Sequence, residues 1–154
     1  MTFEPAAYFT RAQIVTMLWK LQGQPYVNYA MSFKDVKEGE WYSEAVRWAA
    51  AEKIVNGNDK NEFMPDEIIT REMLATVIYQ YAEQLGHGFH GAWVFLLSYA
   101  DRADIAEWAD TGVHYAAVHQ LFNIEDGAKF EPQAQVTRAE AAYAFYQLIK
   151  PVEE

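Results

Sequence analysis

The sequence predicts an all-α fold: tandem helix-loop-helix repeats packed on one core around a central three-helix bundle. Three observations carry that expectation: a long internal repeat, threonines placed as helix caps, and apolar residues at helical spacing behind each cap. The first repeated pattern occurs three times, as Phe3-Glu-Pro5 before Thr10-Arg11-Ala12-Gln13, Phe63-Met-Pro65 before Thr70-Arg71-Glu72, and Phe130-Glu-Pro132 before Thr137-Arg138-Ala139-Glu140. In each copy the threonine follows the phenylalanine by seven residues, and the copies lie 60 and then 67 residues apart. A second pattern occurs twice between them. Phe33-Lys-Asp35-Val36 leads to Trp41, Trp48, Ile54 and Gly57, and Tyr99-Ala-Asp101 leads to Trp108, Tyr115, Leu121 and Gly127.

Each threonine is a good N-cap, because its oxygen can accept from the free amides of a first helical turn. Gln13 and Glu140 stand three residues later and predict capping boxes, whereas Met73 at that place does not. Apolar stripes follow: Ile14, Met17, Leu18 and Leu21; Leu74, Val77, Ile78 and Tyr81; Ala141, Ala144, Phe145 and Leu148. Three equivalent stripes need one another for burial, hence the bundle. A second kind of helix, over about residues 43–53 and 105–121, carries small and aromatic faces and predicts a prong docked beside the bundle. Residues 56–61 have turn chemistry, and Pro65 closes that loop. The linkers are residues 23–31 and 86–93, the second glycine-rich.

Composition excludes several function classes. A formal charge of −10 over 154 residues argues against nucleic acid, since phosphate binding needs a basic surface. The longest strongly apolar run, Trp93 to Leu97, falls far short of the ~20 residues that cross a bilayer, so no membrane insertion is expected. With no cysteine there is no thiol catalysis, zinc-thiolate site or disulfide. The start, Met1-Thr-Phe-Glu-Pro5, lacks both the basic and the apolar part of a signal peptide.

The order Phe-x-Asp-Val, Trp, Asn-Gly, Phe-x-Pro and Thr-Arg-Ala-Glu resembles the S-layer homology repeat. The resemblance runs from Phe3 to about Ile149, and its most specific pieces are Thr137-Arg-Ala-Glu140, Thr10-Arg-Ala-Gln13 and Phe33-Lys-Asp-Val36 with Trp41. It implies a pseudo-threefold, three-pronged, non-catalytic module on a secreted bacterial surface protein. Such a module holds its parent to secondary cell-wall polysaccharide, often pyruvylated, in grooves between repeats. It implies no cofactor and no metal. The glycan-binding residues it points to are Arg11, Arg71 and Arg138, with Asp35, Trp41 and Gly57, and with Asp101, Trp108 and Gly127. A guanidinium suits a ketal carboxylate, an aspartate can accept from sugar hydroxyls, and an indole can cover a sugar ring. A helix N-terminus is expected to add positive charge beside each arginine.

Residues 1–28, 29–88 and 89–154 form the three repeats, the first only a second half, because no prong helix precedes Phe3. One groove is therefore expected to be incomplete, and self-association through an uncovered face near Phe3, Tyr8, Phe9 and Trp19 is the competing use. A truncated or re-engineered scaffold that no longer binds glycan is a further alternative. Tyr8 and Phe9 stand where a small polar residue is more usual, and Asn123-Ile124 does not keep the pair Asn56-Gly57. Each site residue also has a structural reading: arginines as ion-pair partners across repeats, aspartates as caps, tryptophans as packing. His87 and His90 are weak metal candidates on a glycine-flanked loop, and Asn58 to Glu62 reads as a turn rather than a calcium loop. Paired carboxylates such as Glu38 and Glu40, or Asp101 and Asp104, give no geometry for glycoside hydrolysis.

Overall fold

A computed structural model describes residues 4–85 and 97–150; Phe3, His87, His90 and Trp93 lie outside that set. The described residues form five α-helices: α1 (Arg11–Leu21), α2 (Ser43–Ala51), α3 (Arg71–Gln84), α4 (Asp110–Val118) and α5 (Arg138–Ile149). Two 3-10 turns, Arg102–Asp104 and Glu107–Ala109, lead into α4. The expected helices are present, with the second kind shorter than predicted. α2 and α4 each end in a reversal at a left-handed, non-glycine residue, Lys53 and Gln120. The amides of Ile54 and Leu121 then return to the carbonyls of Ala49 and Ala116 at 2.8 and 2.9 Å, which closes each helix end.

Thr10, Thr70 and Thr137 cap α1, α3 and α5 as predicted, each accepting from the amide three residues on. Gln13 completes a full capping box, with its Oε1 receiving the Thr10 amide at 2.9 Å. Glu140 does not. Its Oε1 accepts from the Thr137 hydroxyl at 3.3 Å, and its Oε2 turns to Arg71.

The threefold element is a closed ring of backbone hydrogen bonds just before the caps. The Phe9 amide donates to Val136, Val136 to Ile69, and Ile69 back to Phe9, at 3.2, 2.9 and 2.9 Å. The first two amides of each helix close a second cycle, running round the axis in the opposite sense. Those of Arg11 and Ala12 donate to Glu67 and Pro65, those of Arg71 and Glu72 to Ala134 and Pro132, and those of Arg138 and Ala139 to Ala7 and Pro5. Every Phe-x-Pro loop thus satisfies the orphan donors of the next helix round the axis. Phe9 is in register with Ile69 and Val136, so its bulk is ordinary for its place and the expectation of an anomaly there is corrected.

Close backbone contacts run between α1 and α2 and between α3 and α4, while α1, α3 and α5 are joined through the ring. All five helices contribute to one core, including Ile14, Leu18, Trp48, Leu74, Ile78, Val113, Tyr115 and Phe145. The α4 crossing is tightest at Gly112, where a Cβ would stand 2.7 Å from Thr76 Cα. No prong of the α2 or α4 kind covers α5 among the described residues. Tyr143, Tyr146 and Ile149 are exposed there, the last two at 62% and 60%. Of the residues expected to form an uncovered face, Tyr8 is exposed, whereas Phe9 and Trp19 pack against the core and the Trp19 indole donates to Pro25 at 3.0 Å.

Candidate functional site

The two aspartates do the same structural work in both repeats. Asp35 accepts from the amides of Phe63 and Met64, one oxygen each, at 2.8 Å. Asp101 accepts from Phe130 and Glu131 in the same way, again at 2.8 Å. Met64 and Glu131 are left-handed, with φ of 59° and 56°, so the carboxylate secures a backbone shape that costs energy in a non-glycine residue. Each carboxylate oxygen thus serves one backbone donor, in keeping with the reading of these aspartates as caps.

Gly57 is likewise a packing residue. A Cβ there would meet the Phe33 ring at 2.7 Å and the Glu62 carbonyl at 3.2 Å. Gly127 faces open space at φ +80°, in a left-handed turn. The residue in register with Gly57, counted back from Phe130, is Ile124. Asn58 builds the turn beside Gly57 by accepting from the amides of Lys60 and Glu62 at 2.9 and 3.0 Å, in keeping with the turn reading.

Each phenylalanine held by an aspartate also receives an arginine. Arg11 Nε donates to the Phe63 carbonyl at 2.9 Å, and its guanidinium lies 4.9 Å from the Phe63 ring centroid. Burial pushes the Arg11 pKa down, and the nearby charges of Glu67 and Asp35 oppose that. Arg71 Nη1 donates to the Phe130 carbonyl at 2.8 Å, while its Nε bonds Glu140 at 3.0 Å. Arg138 lies 5.6 Å from the Phe9 ring, with a buried Nε that has no hydrogen-bond partner among the described residues. The structure therefore brings together Arg11 with Asp35 and the loop of Gly57, and Arg71 with Asp101. Arg138 belongs to neither cluster. The first two helix amides beside each of these arginines donate to loop carbonyls of a neighbouring repeat.

Trp41 and Trp108 are exposed, both at 59%, in register on the two prongs. Trp41 meets the Tyr42 ring edge-on at 5.0 Å. Burial raises the Tyr42 pKa, and Glu40, Asp66 and Asp35 add to the rise, which places this aromatic pair beside the Asp35 loop. A large indole left in water twice, at matching places, is the arrangement a sugar face can cover.

Sequence reasoning missed the groove walls. A cleft of about 260 Å³ next to Arg71 has Phe122, Asn123 and Ile124 on one side and Ala139, Glu140 and Tyr143 on the other. Their signal was present in the repeat offset, since Asn123-Ile124 stands where Asn56-Gly57 stands one repeat earlier. Also missed was Glu72, a buried carboxylate that accepts from the Ala106 amide at 3.0 Å and from Gln133 at 2.7 Å, tying the turn that leads to α4 and the loop before α5 to α3. Of the paired carboxylates, Glu38 bonds Arg47 and Asp101 holds amides. No group of three or more metal-ligating side chains occurs among the described residues. None of the described helices is long and apolar enough to cross a membrane.

Three helix starts joined in a backbone ring, with two repeats that each carry an aspartate-held loop, an arginine and an exposed indole, define a helical repeat module. The chain belongs to the S-layer homology domain family, whose description matches residues 32–72 and 98–142, more than half of it. Among its relatives, Exoglucanase XynX of Acetivibrio thermocellus is 33% identical over 96% of this chain and 13% of its own length. The Cellulosome-anchoring protein of the same organism is 30% identical over 90% of this chain and 31% of that protein. The Surface-layer 125 kDa protein of Lysinibacillus sphaericus is 26% identical over 98% of this chain and 12% of its length. The chain thus spans under a third of each of these proteins, and the name of the exoglucanase describes a much longer chain than the part that matches.

Proposed function

We propose that this chain is a non-catalytic anchoring module that attaches a surface protein to secondary cell-wall polysaccharide. The observation that carries the reading is the pair of equally exposed indoles, Trp41 and Trp108, set in register on the two prongs of a family member. An indole pairs a broad apolar face with one N–H donor, which suits the face of a sugar ring and its hydroxyls. Relatives named for cellulosome anchoring and for the surface layer support the same reading.

In this account the aspartates and Gly57 shape the groove, the arginines grip an acidic substituent such as a pyruvate ketal, and the indoles cover sugar rings. The protein's net charge is negative, so attraction to an anionic polymer must come from these local pockets and not from the overall field. The module's place is the bacterial cell wall, outside the membrane. Co-sedimentation with purified walls of a bacterium bearing pyruvylated wall polysaccharide tests the proposal. The protein is expected in the pellet with intact walls and in the supernatant once the polysaccharide has been removed. Equal retention on stripped walls would overturn the choice of ligand.

A further inference from the structure

The loop that follows α2 carries Asn56, Asn58 and Asn61. Two of them are tied down. Asn58 accepts from the amides of Lys60 and Glu62 at 2.9 and 3.0 Å and donates to the Glu62 carboxylate at 3.1 Å, while Asn61 donates to the Ser32 carbonyl. Asn56 is exposed, and neither its side chain nor the Gly57 amide after it donates to any described residue. Gly57 also lacks the Cβ that shields a backbone amide from the side chain before it. A free asparagine side chain and an unhindered N–H next to it are the two reactants of a ring closure that needs no enzyme.

Packing keeps this pair in place. A Cβ on residue 57 would stand 2.7 Å from the Phe33 ring and 3.2 Å from the Glu62 carbonyl, so the fold itself holds the glycine there. The third repeat sets the same asparagine in different surroundings. Asn123 is exposed too, but Ile124 follows it, with a β-branched side chain that crowds the amide. The Ile124 N–H, moreover, already donates to the Phe122 carbonyl at 2.9 Å.

We propose that Asn56 is a site of spontaneous deamidation, confined to the loop of the second repeat. The Gly57 nitrogen attacks Asn56 Cγ; the N–Cγ bond forms, Cγ–Nδ2 breaks, and ammonia leaves with the proton of the Gly57 amide. Water then opens the succinimide at either carbonyl, giving aspartate or isoaspartate and a new carboxylate. The isoaspartyl product routes the main chain through Cβ and so lengthens the backbone directly before Gly57. Gly57 has no room to move toward Phe33, whose ring centroid lies 5.6 Å from that of Phe63, the residue that receives Arg11. The modification therefore loosens the loop of the second repeat and leaves the third unchanged.

Peptide mapping by mass spectrometry on the folded whole chain, held at mildly alkaline pH and sampled over time, tests it. The peptide with Asn56 should gain the mass of an amide-to-acid change and split into aspartyl and isoaspartyl forms, while Asn123 stays intact. Asp126-Gly127 can close the same ring, but without a change of mass, so it adds nothing to the signal. Asn56→Gln should abolish the shift and fold as before, since that side chain holds nothing. The separated isoaspartyl fraction should melt below the fresh protein. The chain unfolded in guanidinium chloride sets the reference rate. If Asn56 is lost there but not in the fold, or if Asn123 is lost as fast as Asn56 in the fold, the proposal falls. An isoaspartyl fraction that melts like fresh protein overturns the loosening of the loop. None of these outcomes bears on the glycan reading.

Discussion

Asp101→Ala is expected to destabilise the fold by about 3–5 kcal/mol, read as a lower urea midpoint with unchanged slope. Its two oxygens each accept a backbone amide at 2.8 Å, and hydrogen bonds to a charged group contribute roughly 1.5–3 kcal/mol each. The loss is larger than for a surface ion pair because Asp101 and Phe130 are both buried, so the Phe130 amide is left without a partner and without water. Glu131, no longer held, must bear its left-handed conformation alone. Asp101→Asn keeps one accepting oxygen and turns a donor toward the other amide, so its loss should fall between wild type and alanine. Asp35→Ala repeats the lesion at a more exposed place and should cost less. If Asp101→Ala melts like wild type, the carboxylate does not hold the loop and becomes free to serve a ligand.

Gly112→Ala is the second large effect, and its sign runs against helix propensity. In a solvent-exposed helix, alanine for glycine stabilises by about 1 kcal/mol. Here the added Cβ would stand 2.7 and 2.8 Å from Thr76 Cα and N and 3.0 Å from the Ala75 carbonyl carbon, all backbone atoms of α3. Backbone cannot swing aside as a side-chain tip can, so α4 has to move off α3. The expected loss is about 1–3 kcal/mol, with a larger one for Gly112→Leu. Thermal melts decide between the two signs. Because α4 follows the turn that carries Trp108, the same displacement should disturb that prong first, visible as a change in tryptophan emission before global unfolding.

How much of this was legible depended on whether the information was local. The starts of α1, α3 and α5 could be read because a threonine cap and a helical stripe lie within a few residues of each other. The ends of α2 and α4 could not, since Lys53 and Gln120 adopt a left-handed turn without the glycine that normally marks one. Asp35 and Asp101 were found by repetition, and the cap reading was open to them, but the amides they hold could not be named. The amides they bind lie 28 to 30 residues away, a distance at which spacing says nothing about contact. Gly57 stood out in the repeat, but the close approach of the Phe33 ring that bars a Cβ there could not be read from spacing. The three arginines looked alike in the motif, and only the neighbouring repeat shows that Arg71 is paired and Arg11 is not. The ring through Phe9, Ile69 and Val136 was invisible for the same reason: its bonds join residues 60 or more apart.

The central claim, glycan attachment through exposed indoles on an aspartate-built scaffold, is tested most directly by titrating released wall polysaccharide into the protein and its Trp41→Ala/Trp108→Ala variant. Both side chains are mostly in solvent, so the double variant should keep the wild-type melting temperature within a few degrees. Covering an indole face removes apolar area from water at about 25 cal/mol per Å², so losing two such contacts should weaken binding at least about tenfold. Undiminished binding by a fully folded double variant would contradict the account.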